Sequence, residues 1–178
     1  MLEKLISEKQ TAILDRWFNL ILETYPSDAS QFLKNERDRF KNPVGYTLAT
    51  EIKTIFQGLL QETITEKLHE SLMNIIKIQS VQDFFPSEAI TFIFLLKKAI
   101  REELQLGNQS NGISLELPEF ESKIDILAGL AFDKYMESRE KIFEVRINEI
   151  KARSSRLIER LNLISEKRQN NDSTNSNT

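Results

Sequence analysis

Few residues in this 178-residue chain are of the types that do chemistry, and their spacing decides what each can be. The one histidine, His69, is of the type that ligates haem iron or moves a proton. It stands among Glu66, Lys67 and Glu70 near the start of a helix, so it reads as a surface histidine. Asp133, Glu137, Glu140 and Glu144 fall at helical steps of 4, 3 and 4, which puts four carboxylates on one face. Carboxylates so placed ligate metals in helical bundles, but those sites add a histidine from each of two further helices, and a single histidine cannot supply both. Lys141, four residues after Glu137, makes pairing along the helix the simpler reading. With no cysteine there is no thiolate ligand, no sulfur nucleophile and no disulfide. The residues therefore point to no catalytic group, no metal site and no bound cofactor, and to a protein that is not an enzyme.

A second set of residues has the spacing of an interaction surface. Phe143, Ile147, Ile150, Ser154, Leu157, Leu161 and Ile164 follow one another at steps of 4, 3, 4, 3, 4 and 3, the spacing of coiled-coil a and d positions. In that register Arg139, Arg146, Arg153 and Arg160 all occupy g. Glu149 stands within helical reach of Arg146 and Arg153, so local pairing accounts for part of the row. The other reading is a row that meets acids on a partner. A parallel pair of identical chains would set Arg139 against Glu144, which is favourable, and Arg146 against Lys151, which is not. The seam spans three heptads with Ser154 at its centre, and leaves open self-pairing, folding back onto the rest of the chain, and docking on another protein's helix.

The elements that carry these residues read as helices throughout. Five glycines and four prolines are few, which favours long helices over a many-turned sheet. Apolar periodicity predicts a first helix from about residue 3 to 24 and a short one near 29–39 anchored by Phe32, Leu33 and Phe40. Asn42-Pro43 reads as an N-cap with proline at the first helical position, opening a helix to about residue 61. Two more are expected at about 65–80 and from Pro86 to about 103, then a loop at 107–112. The last helix is expected from about Pro118 to Arg168, and fifty residues of helix reach ~75 Å. Its first half carries a wide apolar face, Phe120, Ile124, Leu127, Ala128, Ala131 and Tyr135 widened by Ile126, Leu130 and Phe132, as in a helix built into a core. Trp17, Phe56, Phe84, Phe85, Phe92, Phe94 and Phe132 are of the type that lines a pocket between helices, and aromatics at helical spacing are more often plain core.

The expected organisation is a helical sensor or interaction domain over residues 1–140, a coiled-coil-like stalk over 141–168, and a disordered tail over 169–178. The net charge of −3 conceals an asymmetry: eight basic and four acidic residues give the segment 141–168 a charge of +4, so the remainder carries −7. The basic segment also carries four acids and no aromatic after Phe143, so nucleic acid is not an expected partner. The acidic, amphipathic N-terminus is no signal peptide, and the most apolar stretch, 89–96, is far below the ~20 residues of a membrane span. These features predict a cytoplasmic protein without membrane insertion.

Several short runs resemble the N-terminal domain of the RsbRD type, named after co-antagonists of the RsbT kinase in bacterial stress signalling. They are Ala12-Ile13-Leu14-Asp15-Arg16-Trp17-Phe18, Glu23-Thr24-Tyr25-Pro26, Arg39-Phe40-Lys41-Asn42-Pro43-Val44-Gly45, Val81-Gln82-Asp83-Phe84, Phe94-Leu95-Leu96-Lys97 and, further on, Tyr135-Met136, Arg139-Glu140-Lys141-Ile142 and Arg146-Ile147-Asn148-Glu149. The resemblance implies an all-α, globin-like helical bundle without haem, with a long C-terminal helix as its stalk. In stress-signalling members that domain pairs with itself and precedes a STAS domain, whereas this chain stops after the stalk and looks like a stand-alone version. Similar stand-alone versions occur near genes for the membrane complex that supplies electrons to dissimilatory sulfite reductase, which implies an accessory role in sulfur metabolism. The expected function is therefore regulation or scaffolding through homodimerisation and capture of another protein by the C-terminal helix. The alternatives are a sensor of a lipid or other small apolar ligand, and an accessory protein of that electron-transfer complex.

Overall fold

The computed structural model describes residues 2–36, 38–61, 65–82, 84–104 and 113–175, with side chains of the last helix described over 116–166. The described residues form seven α-helices and no strand. These are α1 (Leu2–Glu8), α2 (Gln10–Leu22), α3 (Ser27–Asn35), α4 (Pro43–Leu59), α5 (Glu66–Val81), α6 (Pro86–Glu103) and α7 (Ile113–Asn175). No helix among them is long and apolar enough to cross a membrane. The chain divides into two compact units, Met1–Ser138 and Arg139–Thr178.

In the first unit α2 lies along α6 and α4 along α5. One continuous core joins Ile6 of α1, Ile13, Trp17 and Ile21 of α2, Leu48, Ile52 and Phe56 of α4, Leu72, Ile75 and Ile76 of α5, Phe92, Ile93 and Leu96 of α6, and Phe120, Ile124, Leu127 and Tyr135 of α7. The core face expected of α7 is thus buried, but Ile126 and Phe132 are exposed and do not widen it. Of the three residues expected to widen it, Leu130 is partly buried and packs against the core beside the stripe through Ile124, Leu127, Ala131 and Tyr135.

Helix starts follow local chemistry. The Asn42 side chain accepts from Gly45 N and Pro43 opens α4, as its sequence predicts, while the Thr65 hydroxyl accepts from Leu68 N to start α5. Elsewhere tertiary packing overrides periodicity. The first helix is two, broken at Lys9, whose ammonium donates to Glu103 O at the end of α6 (2.5 Å). Helix α3 stops at Asn35, and Phe32 and Phe40 point outward, Phe40 being 93% exposed; Leu33 alone of the three is a core anchor. The last helix starts at Ile113, five residues before Pro118, and Glu116 there accepts from Leu2 N (2.6 Å). Its helix assignment runs to Asn175, into the segment expected as a disordered tail; that segment's side chains, its end at 176–178, the loop at 107–112 and Asp83 lie outside the described residues.

Ion pairs tie the helix surfaces of this unit. Arg101 grips Glu121 with two bonds (2.7 and 2.8 Å), and Lys97 reaches Asp125 (2.6 Å). Arg16 donates to Glu102 (2.5 Å), and that bond holds the Glu102 carboxyl below its ordinary range; the Leu2 amide does the same for Glu116. A depressed carboxyl favours the folded chain above the ordinary carboxylate range and loses that contribution as acid protonates it.

Candidate protein-interaction surface

The residues of chemical type do not converge. His69 is partly exposed, in the first turn of α5. Of the carboxylate row, Asp133, Glu140 and Glu144 are exposed, while Glu137 accepts from Lys134 at 2.9 Å. Among the described residues no group of three or more histidines, cysteines or carboxylates could hold a metal ion. Trp17, Phe56 and Phe92 are fully buried against other side chains, whereas Phe85, Phe94 and Phe132 are exposed, so these aromatics do not line one pocket. The depressions found are open grooves of mixed character, such as the one formed by Leu14, Phe18, Ile52, Lys53 and Gln57.

Exposed apolar residues gather instead. In the first unit Ile126, Phe132 and Met136 share an outward stripe of α7, and Phe94 of α6 is exposed one turn from Lys97, which bonds to α7 through Asp125. Gly129 sits inside that stripe, and a Cβ built on it meets no atom within 4 Å. A glycine in an exposed helix interior costs about 1 kcal/mol relative to alanine. Gly129→Ala is therefore expected to raise the unfolding free energy by roughly that amount, measured by urea titration of dilute protein. Nothing inside the fold calls for a glycine here; close approach of another backbone would.

In the second unit every seam residue named from the sequence is exposed: Phe143 (47%), Ile147, Ile150 (64%), Leu157, Leu161 (65%) and Ile164. Ile158 at e widens the seam, while Val145 and Leu163 lie off it, also exposed. Sequence spacing misses these three because heptad counting selects only a and d. Arg139 stacks over the Phe143 ring, 5.0 Å from its centroid, at one end of the seam, and the ring stays half exposed. Among the described residues Glu149 makes no ion pair with Arg153, and neither Arg153 nor Arg160 meets a carboxylate. The local pairing expected of Glu149 does not occupy the lower half of the arginine row.

Comparison with known protein families gives a match. The RsbT co-antagonist protein rsbRD N-terminal domain matches residues 11–150, which takes in α2 from Thr11, the whole of α3 to α6, and α7 as far as Ile150. No curated protein and no solved structure matches the chain. A match over that much of the sequence settles the family, and the chain belongs to the RsbRD N-terminal domain family.

Proposed function

We propose that this protein is a non-enzymatic regulatory or scaffold protein, a haem-less helical domain that pairs with itself and captures a partner protein through its C-terminal helix. Family membership supplies the regulatory, signalling class. The observation that carries the mechanism is the uncovered apolar seam from Phe143 to Ile164, six large side chains each about half exposed or more. Contiguous exposed apolar surface of this kind marks an interaction site. The Phe94, Ile126, Phe132 and Met136 patch with Gly129 at its centre supports self-association of the bundle, since a glycine lets a second backbone come close. In this reading residues 1–140 act as the sensor or interaction domain and 141–168 as the stalk, with Phe143, Ile147, Ile150, Leu157, Leu161 and Ile164 as the apolar contact.

Ile150 lies mid-seam, so Ile150→Asp places a charge where apolar contact is needed. It is expected to lower the oligomer mass or abolish capture of the partner, read by light scattering and by pull-down, with helix content unchanged. Unaltered mass together with unaltered capture would sink the proposal.

A further inference from the structure

The arginine row decides what the seam takes. We infer that the seam of α7 receives an amphipathic helix of a different protein, one whose apolar stripe is flanked by carboxylates, and not a second copy of this chain. The inference rests on the proposed use of the seam and names the occupant.

The argument is one of charge complementarity. In an antiparallel pair of α7 helices, g faces g, so Arg139 would stand against Arg160 and Arg146 against Arg153, four like-charge contacts along one edge. In a parallel pair g faces e. The e positions are Glu144, Lys151, Ile158 and Ser165, so Arg139 finds one acid, Arg146 meets Lys151, and Arg153 and Arg160 find no charge. Neither arrangement of two copies satisfies the row. The helix's own acids do not satisfy the lower half of the row either: Arg153 and Arg160 reach no carboxylate among the described residues, although Glu149 and Glu159 lie on the same helix.

A partner with glutamate or aspartate at both flanking positions answers the geometry. Each arginine on one edge and Lys151 on the other would meet an acid, while the apolar stripes of both helices close over Ile147, Ile150, Leu157 and Leu161. A helix so flanked repels its own kind, and in this way selects the basic seam over self-pairing.

The test uses the full-length protein and three labelled peptides of about four heptads each. All carry leucine or isoleucine at a and d; they differ in having glutamate, glutamine or lysine at e and g. Fluorescence anisotropy is expected to show the glutamate peptide binding at least about tenfold more tightly than the lysine peptide, with glutamine between them. The preference should shrink as salt rises to about 0.5 M, where exposed charges are screened within a few ångströms. The triple variant Arg146→Glu, Arg153→Glu, Arg160→Glu, all exposed positions, should invert the order of the peptides. Equal affinity for all three peptides overturns the inference, as does binding to none of them.

Sedimentation of Ile150→Asp distinguishes this failure from failure of the proposed function. An unchanged oligomer mass with lost peptide binding is the expected result. A lowered mass would show the seam occupied by a second copy, which overturns the inference and leaves the interaction reading standing. No change in either quantity would end both.

Discussion

Trp17→Ala is expected to lower the unfolding free energy by roughly 4–5 kcal/mol, the largest loss available from one side chain in this fold. Trp17 is fully buried on α2 and belongs to the cluster shared with α4, α6 and α7. Truncation removes a large apolar surface from contact and leaves a cavity that helices fixed on several sides cannot close. It also removes the bond from Trp17 Nε1 to Phe92 O (2.6 Å). That carbonyl belongs to α6, and its helical acceptor role is untouched, so the lost bond is the smaller part of the effect, about 1 kcal/mol. Trp17→Phe separates the two contributions, keeping most of the volume and losing only the bond and some packing. Urea unfolding followed by circular dichroism should place Trp17→Phe well above Trp17→Ala. Near-equality of the two would mean that the bond, and not the packing, dominates. Against a domain stability of about 5–15 kcal/mol, the alanine variant loses about a quarter of the total or more.

How much of this was legible in the chain varies with the range of the interaction. The seam from Phe143 to Ile164 could be read because its spacing is a property of one helix alone, and all six apolar positions are exposed. The start of α4 at Asn42-Pro43 was legible for the same reason, since a cap is chosen within four residues. Ile126 and Phe132 were misread because burial depends on which neighbour covers a face, and α6 reaches the Glu121 and Asp125 side of α7 through ion pairs. The break at Lys9 leaves no mark in the local pattern, because the bonds from Lys9 N to Leu5 O and from Ile13 N to Lys9 O carry the helical spacing through it. Gly129 gave a signal that periodicity ignored: a helix-weakening residue inside an otherwise strong helical run. That Arg153 and Arg160 meet no carboxylate among the described residues could not be read either, because spacing shows which pairs are possible and only side-chain positions show which are made.

Asn42 carries the second large expectation, and it turns on a substitution that looks conservative. Asparagine and aspartate are about equally good N-caps, so a cap alone would tolerate Asn42→Asp. Here the side chain does two jobs. Its oxygen accepts from Gly45 N at 2.8 Å and caps the start of α4, while its amide nitrogen donates to Leu33 O (3.0 Å) and Glu36 O (2.8 Å) and closes the end of α3. The residue is 1% exposed, so water cannot take over a lost bond. Aspartate would keep the cap and turn a donor into a charged acceptor aimed at two carbonyl oxygens. Alanine would lose all three bonds, at about 3 kcal/mol from the cap and the unmet carbonyls together. Asn42→Asp is therefore expected to destabilise at least as much as Asn42→Ala near neutral pH. Acid should relieve part of that loss by protonating the new carboxyl and restoring a donor. Gly45 is bound to the same arrangement, because a Cβ there would come within 2.8 Å of both Leu33 O and Asn42 Oδ1. Unfolding midpoints of the aspartate and alanine variants across pH 4–8 decide the matter. An aspartate variant as stable as the natural chain would mean that the α3 carbonyls need no donor, and that the turn from α3 into α4 is held by packing alone.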